Sequence, residues 1–327
     1  MMARTDAATY PAGAGLGRRR STALEVMSAL LKQPAGQVGL AVIVLVVGGA
    51  IAAPVLHLQD PIQANPSNPM ASPDGTNWLG TDEVGRDVLS RLVYGARPAL
   101  AVGTLAVLVG GLLGVGLGIA AGYYRGPVEA FVMRVFDVLF AFPLILLGVC
   151  AVVVLGPGVL SVALAVGIGV TPMFARLARA ETLEEMSRDF VRAARGMGGG
   201  DLWIMLRHIL PNITASMVVQ MATAISAAVV LASALDFLGL GTSKPDPSWG
   251  TMLQESRAYL AVSPTFALAP GVVLTVFVIA VNMAAAALTN ALDPRIRTKL
   301  LRGRAASADR ASTPPSEPAL IISKEPA

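Results

Sequence analysis

The chain has 327 residues, of which 54% are hydrophobic and only 14% are charged, and its formal net charge is +4. Soluble domains carry about 25% charged residues, so this composition disfavours a soluble enzyme, a nucleic-acid-binding protein and a disulfide-stabilised secreted scaffold. The single cysteine, Cys150, excludes an internal disulfide and a thiolate metal cluster. The composition therefore favours a membrane protein.

Long runs without charged residues predict membrane-spanning helices, because about 20 apolar residues cover the hydrocarbon core. These runs are 38–56, 98–122, 138–175, 208–235 and 258–292. The third run contains the turn signal Gly156-Pro157-Gly158 and is interpreted as two helices, the first beginning near Val128. The last helix is expected to begin near Ala267. The sequence thus predicts an all-α integral membrane protein with six transmembrane helices, the first a retained anchor rather than a signal peptide.

The distribution of basic residues predicts the orientation in the membrane. With both termini in the cytoplasm, 20 of the 25 Lys and Arg residues lie on the inner side and 5 on the outer side. The outer connections, 58–97 and 236–266, are too long for simple hairpins. Residues 1–24 are predicted to be a disordered cytoplasmic tail. Residues 299–327 form a basic and then disordered tail, with the stretch 295–304 expected on the anionic inner leaflet.

Several chemistries are disfavoured by missing residues. The sequence contains no Gly-Lys dipeptide, which a phosphate-binding P-loop requires, and its two histidines, His57 and His208, are far apart. The apolar cores contain almost no Asp or Glu, which disfavours an ion-coupled secondary transporter. Gly114, Gly118 and Gly122 lie four residues apart, which predicts close helix packing rather than nucleotide binding. We therefore expect a transport subunit that is not an enzyme.

Polar side chains within the spans allow two interpretations. Ser216, Gln220, Thr223 and Ser226 form one stripe along the fifth span, and Asn282 lies in the sixth. These side chains either line a hydrated translocation path or form hydrogen bonds between helices. Near the inner end of the third span, Arg134 and Asp137 are three residues apart and are expected to form an ion pair.

The fourth connection predicts two helices joined by a glycine turn. The charge pattern of 177–195 is helical, residues 197–200 (Met-Gly-Gly-Gly) break the helix, and Asp201 is expected to cap a second helix that runs to Leu210-Pro211. Ala193 and Ala194 are small enough to let a partner surface approach closely. A docking device and a solvated amphipathic loop both remain open at this point.

The motif Asp189-Phe190-Val191-Arg192-Ala193-Ala194, followed by Gly198 and Leu210-Pro211, resembles the EAA loop of bacterial ABC-importer permeases. The resemblance implies that residues 176–211 contain a coupling helix, at about 186–197, that docks into a groove of an ATPase subunit. Arg192 replaces the Glu that gives the loop its name, and His208 replaces the usual Ile. Both departures are familiar in the peptide-transporter branch.

A second motif lies in the outer connections. Residues 79–91 and 247–250 are similar to the signature of "C"-type subunits of dipeptide, oligopeptide and nickel permeases; the residues that carry it are Gly80, Thr81, Asp82, Gly85, Arg86, Asp87, Trp249 and Gly250. The charged residues here are predicted to form an ion-pair and capping network. Trp249 is expected to anchor at the membrane interface or to contact a partner protein. Each outer loop is either a local scaffold or a contact for a binding protein or substrate gate.

The resemblance extends over about residues 25–298. It implies a type I ABC importer permease in the bacterial inner membrane, with a first span and outer loop at 25–97 and a permease domain at 98–298. The implied partners are a "B"-type permease, two ATPase subunits that use ATP and Mg²⁺, and an extracytoplasmic binding protein. The implied substrates are dipeptides or oligopeptides, with nickel chelates or glutathione as alternatives. The chain itself is expected to bind no cofactor, metal or nucleic acid.

Overall fold

The computed structural model describes residues 23–292, and every regular element in this part of the chain is helical. The helices are α1 (Ala23–Leu30), α2 (Pro34–Ala52), α3 (Val88–Tyr124), α4 (Gly126–Ala141), α5 (Leu144–Leu155), α6 (Val159–Met186), α7 (Asp189–Gly196), α8 (Asp201–Ile204), α9 (Leu210–Phe237), α10 (Trp249–Ser256) and α11 (Pro264–Leu292). The predicted tails lie outside the described residues, apart from residues 23 and 24 at the start of α1, and so does the basic stretch 295–304.

The prediction of six spans is confirmed when one bent pair of helices is counted as a span. Five helices are long and apolar enough to cross a membrane, namely α2, α3, α6, α11 and the continuous stretch from α8 to α9. The remaining span consists of α4 and α5, which meet at 93°. The single helix predicted from near Val128 is therefore wrong. Pro143 lacks a backbone N–H and forces Phe142 into an extended conformation, with ψ of 133°, which ends α4.

Three helix boundaries differ from those predicted from the sequence. α3 begins at Val88 rather than at residue 98, and it keeps Arg91 and Arg97 inside the helix because both side chains find partners. α11 begins at Pro264 rather than near Ala267. α6 continues to Met186, well past the end of its apolar run. The outer connections are consequently residues 53–87 and 238–263.

The centre of the bundle is the contact of α3 with α6 and α9, and α2 packs on α11 at the side. Glycines on α3 allow the α6 backbone to approach, as the four-residue spacing predicted. A Cβ placed on Gly114 would lie 2.6 Å from the Thr171 carbonyl oxygen and 2.6 Å from the Cβ of Phe174. Close packing of small residues is the main source of attraction between helices in lipid.

Replacing Gly114 by Val is expected to destabilise the fold by about 2 kcal/mol, because the α6 backbone cannot move aside. Gly116 offers a matched control on the same helix, since a Cβ there meets nothing within 4 Å. We expect Gly116→Val to be close to neutral. Thermal unfolding of the two purified variants in detergent measures the difference. Equal melting temperatures would contradict the packing assigned to α3 and α6.

Candidate functional site

The candidate site predicted on the cytoplasmic side is built on α7, the short helix between α6 and α8. Val191 and Ala194 are buried, each at 2% exposure, whereas Phe190, Arg192 and Ala193 are exposed. The two alanines therefore differ: Ala193 faces outward as predicted, but Ala194 packs inward and offers no surface to a partner. The exposed face is both apolar and charged, because it carries the Phe190 side chain and an ion pair between Asp189 and Arg192.

The predicted helix over 177–195 is interrupted, which sets the direction of α7. Arg188 is extended, with ψ of 146°, and separates α6 from α7. The Ser187 hydroxyl donates a hydrogen bond to the Glu184 carbonyl oxygen at 2.7 Å, which satisfies the end of α6. The helical charge pattern continued through this break because Glu184 pairs with Arg188 across it, at 3.0 Å. Charge spacing alone therefore did not reveal the turn.

The glycine turn after α7 is a Schellman motif. Gly198 has a φ of +81°, and its N–H donates to the Arg195 carbonyl oxygen at 3.0 Å. The Gly199 N–H donates to the Ala194 carbonyl oxygen at 3.1 Å. This arrangement uses a left-handed residue that glycine adopts without strain. Gly198 therefore fixes where the chain leaves α7 and enters α8.

The helix after the turn continues directly into the fifth span. Gly200 is the N-cap of α8, so the capping role predicted for Asp201 is wrong; its carboxylate accepts a hydrogen bond from the Tyr123 hydroxyl instead. Nor does this helix end at Leu210-Pro211. A π-helical turn over Met205–Ile209 leads into α9, and this wider turn accommodates Pro211, which lacks an N–H.

An aromatic group connects α7 to this π-helical turn. The ring centroid of His208 lies 4.6 Å from that of Trp203 and 6.1 Å from that of Phe190. Phe190 is the residue of this group that belongs to α7. The three rings thus link the predicted coupling helix to the base of the fifth span.

The outer candidate site is a buried network of ion pairs. Asp82 pairs with Arg86 at 2.6 Å and with Arg91 at 3.4 Å, and Arg91 pairs with Glu255 at 2.9 Å. Arg91 and Asp82 are fully buried, and the Glu255 side chain is 2% exposed. The network predicted for the first outer loop is therefore confirmed. Glu255, on α10, was missed, because its partner Arg91 lies 164 residues earlier and no local signal relates them.

Three carboxylates of this outer network, those of Asp82, Glu83 and Glu255, lie within 4.8 Å of one another. A metal ion would accept such a spacing, but each carboxylate already faces a cation. Arg86 lies within 4 Å of all three, and Lys244 lies 3.2 Å from Glu255. Charge balance therefore favours a structural role that joins the two outer connections.

The remaining motif residues of the first outer loop shape its turns. Gly80 and Gly85 have φ values of +78° and +83°, and a Cβ on either would collide with a loop carbonyl oxygen. The Thr81 hydroxyl donates to the Asn68 carbonyl oxygen at 2.7 Å. Asp87 caps α3 by accepting the Ser90 N–H at 2.7 Å. These contacts favour the scaffold interpretation of the motif.

Carboxyl groups of this loop titrate away from their ordinary values. Burial raises the pKa of Glu83 and that of Asp87. The pKa of Asp74 is lowered to about 2, chiefly because its carboxylate accepts the backbone N–H of Asn77. Burial is thus the largest influence on the pKa of Glu83 and of Asp87, whereas hydrogen bonding is the largest influence on the pKa of Asp74 in its exposed turn.

Trp249 is a core residue, so the prediction of an interfacial anchor or partner contact is wrong. Its side chain is 1% exposed, and its indole N–H donates to the Leu92 carbonyl oxygen at 3.0 Å. The ring packs edge-on against Phe277 with centroids 5.6 Å apart. Gly250 is buried beside it, where α10 packs against α9. The second outer motif therefore fastens α10 onto α3, α9 and α11.

The polar stripe of the fifth span divides into two parts. Ser226 is buried, and its hydroxyl lies 3.4 Å from the Asn282 side-chain oxygen, which joins α9 to α11. Ser216, Gln220 and Thr223 are half-buried. The Thr223 hydroxyl donates to the Gln220 carbonyl oxygen at 2.9 Å. The helix-packing interpretation therefore describes Ser226, whereas Asn282 is exposed, and the path interpretation remains open for Asn282 and the other three.

Ion pairs join α4 to α6 near the end of the bundle that carries α7. Asp137 pairs with Arg176 at 2.8 Å, so the expected pair with Arg134 is wrong. Glu129 pairs in the same way with Arg179, whose Nε lies 2.6 Å from its carboxylate. Both acidic residues face α6, because α4 packs along that helix.

Residues 114–298 match the family described as binding-protein-dependent transport system inner membrane component. The chain belongs to this family. It is 42% identical over 226 residues to the glutathione transport system permease protein GsiD of Pectobacterium atrosepticum, covering 69% of this chain and 75% of that protein. It is 38% identical over 274 residues to the dipeptide transport system permease protein DppC of Alkalihalophilus pseudofirmus, covering 84% of this chain and 90% of that protein.

The fold agrees with this assignment. A chain of the MetNI methionine ABC transporter, solved in inward-facing conformations, matches with a TM-score of 0.52 and 19% identity, covering 62% of this chain and 96% of that chain. The protein is thus a multi-pass permease of the bacterial inner membrane with the fold of a type I ABC importer permease. In general terms, the family implies that the permease works with another permease, an ATPase and a binding protein.

Proposed function

We propose that the permease forms part of the path by which short peptides enter the cell. Its similarity to a dipeptide permease over 84% of the chain carries this proposal. Glutathione, named in the other relatives, is itself a tripeptide, so one substrate class fits both sets of relatives. A "B"-type permease completes the path, and an extracytoplasmic binding protein delivers the peptide.

Energy for transport comes from two ATPase subunits that use ATP and Mg²⁺, and the permease itself performs no covalent chemistry. The exposed face of α7 is the surface that contacts an ATPase, through Phe190, Arg192 and Ala193. Two observations support this surface: α7 begins and ends at turns stabilised by backbone hydrogen bonds, and its inner face is packed on the bundle. A displacement of α7 therefore moves the helices behind it.

The half-buried part of the polar stripe lines the path. Ser216, Gln220 and Thr223 leave polar atoms accessible on an otherwise apolar helix, and a peptide backbone needs such partners while it crosses the membrane. Asn282 supports this wall from α11 through its contact with Ser226.

Uptake by a strain that lacks the gene tests the proposal. We expect the wild-type gene to restore uptake of radiolabelled glycyl-leucine or glutathione, and Gln220→Leu to lower it by about fivefold, the effect of one lost hydrogen bond. Thr214→Val is the matched control, since that hydroxyl is exposed and bonds to its own helix at Leu210. Failure of wild type to restore either uptake would contradict the substrate class. Equal uptake by Gln220→Leu, Thr214→Val and wild type would contradict the assignment of Gln220 to the path.

A further inference from the structure

Three helices meet at the cytoplasmic end of the bundle in a contact that the coupling motif does not include. The hydroxyl of Tyr123, at the end of α3, donates to the Asp201 carboxylate at the start of α8, with an O–O distance of 2.7 Å. The guanidinium carbon of Arg195, at the end of α7, lies 5.1 Å from the centroid of the Tyr123 ring. We name these three residues the tyrosine joint.

The phenol of Tyr123 is the fixed centre of the tyrosine joint. Tyr123 is 5% exposed, whereas Asp201 and Arg195 are exposed residues that fold over it from opposite sides of the glycine turn. A buried tyrosine retains a hydrogen-bond partner for its hydroxyl, and its ring face attracts a guanidinium. The joint therefore holds both ends of the Schellman turn against α3.

The tyrosine joint connects α7 to α3, a helix that packs against several spans of the bundle. α7 is connected along the chain only to α6 and α8, and Arg188 fastens its first turn to α6 through Glu184 and Glu185, at 3.0 and 3.1 Å. The tyrosine joint adds α3, a helix of 37 residues that packs along both α6 and α9. The C-terminal end of α7 is thereby in contact with the helix at the centre of the bundle.

We propose that Tyr123 is a positioning residue for energy coupling: it transmits displacement of α7 to α3. This inference rests on the proposed contact between α7 and an ATPase. Without the joint, the ATPases still bind and hydrolyse ATP, but fewer of their cycles move the spans. The distinguishing quantity is therefore the amount of substrate transported per ATP hydrolysed.

Tyr123→Phe removes the hydroxyl and keeps the ring. The neighbouring Tyr124, half exposed with its ring 5.2 Å from that of Tyr123, provides the matched control Tyr124→Phe. The complete transporter, with both permeases, the ATPases and the binding protein, is reconstituted in liposomes, and uptake of radiolabelled glycyl-leucine and of glutathione is measured together with ATP hydrolysis. We expect uptake per ATP to fall about fivefold for Tyr123→Phe and to be unchanged for Tyr124→Phe.

Variants of Asp201 separate a coupling role from a structural one. Asp201→Asn keeps an oxygen that accepts from Tyr123 and is expected to preserve uptake per ATP, whereas Asp201→Leu is expected to lower it as Tyr123→Phe does. Combining Tyr123→Phe with Asp201→Leu is expected to cost no more than either change alone, because both remove one contact.

Unchanged uptake per ATP hydrolysed in Tyr123→Phe would overturn the inference. A parallel fall of uptake and ATP hydrolysis would also overturn it, because such a fall indicates damaged assembly. Losses that multiply in the double variant would also contradict it. If the wild-type permease captures no ATPase, the proposed function fails and the inference with it. If the ATPases bind but uptake per ATP hydrolysed is the same in Tyr123→Phe as in wild type, the role of the tyrosine joint is refuted and the proposed function is not.

Discussion

Glu255→Gln is expected to lower the free energy of unfolding by about 3 kcal/mol, because it leaves a buried guanidinium without a full counter-charge. Glu255 lies 2.9 Å from Arg91, which is completely buried, and 3.7 Å from Arg86. The substitution also weakens the contact of α10 with the first outer loop, which Arg86 makes. Thermal unfolding of the purified permease, followed by circular dichroism, measures the effect.

Asp189→Asn is the control for this substitution. Asp189 also pairs with an arginine, Arg192, but its side chain is 93% exposed. Exposed pairs contribute little, so we expect a change of at most about 0.5 kcal/mol. If the two variants unfolded at the same temperature, the outer network would be dispensable and its role as the link between outer connections would be wrong.

Gly198→Leu is expected to reduce uptake about tenfold while the permease remains folded in the membrane. A side chain at this φ of +81° costs about 1–2 kcal/mol, which the turn avoids by leaving the left-handed conformation. Both Schellman hydrogen bonds then break, and α7 loses its fixed direction. Uptake of glycyl-leucine or glutathione in the complemented strain, normalised to permease in the membrane fraction, measures the result.

Two further variants show whether strain or bulk causes the loss. Gly198→Asn is expected to be milder, because asparagine tolerates the left-handed region better than leucine does. Gly200→Leu places the same bulk in the same turn at an ordinary φ of −68°, where a Cβ meets nothing within 4 Å, and is expected to transport normally. A larger loss for Gly200→Leu than for Gly198→Leu would contradict the assigned turn.

The sequence predicted features that depend on neighbouring residues. Uncharged runs are local, and so the number of spans followed from them. The glycine turn that ends α7 also followed, because Gly198 marks a left-handed position directly, but the break at Arg188 that begins α7 did not. The bend after Phe142 did not follow. Pro98, Pro172 and Pro270 all lie inside helices of this protein, so a proline within an apolar run does not by itself indicate a break.

Features that depend on distant contacts could not be predicted. Arg91 lies outside the apolar run 98–122, yet it belongs to α3, because Glu255 neutralises it from the other outer connection. Trp249 lies in a connection between spans, where nothing local distinguishes a buried tryptophan from one that faces lipid. The pairing of Asp137 with Arg176 rather than Arg134 likewise depends on α4 packing against α6.

The central claim is that α7 is the surface by which the permease meets an ATPase, and photo-crosslinking tests it most directly. In a Cys150→Ser background, Ala193→Cys labelled with benzophenone maleimide places the probe on the exposed face of α7. Ser67→Cys, exposed in the first outer loop, carries the control probe. We predict that illumination of the assembled transporter joins an ATPase subunit to position 193 and none to position 67. An assembled transporter with no ATPase adduct at position 193 would contradict the claim.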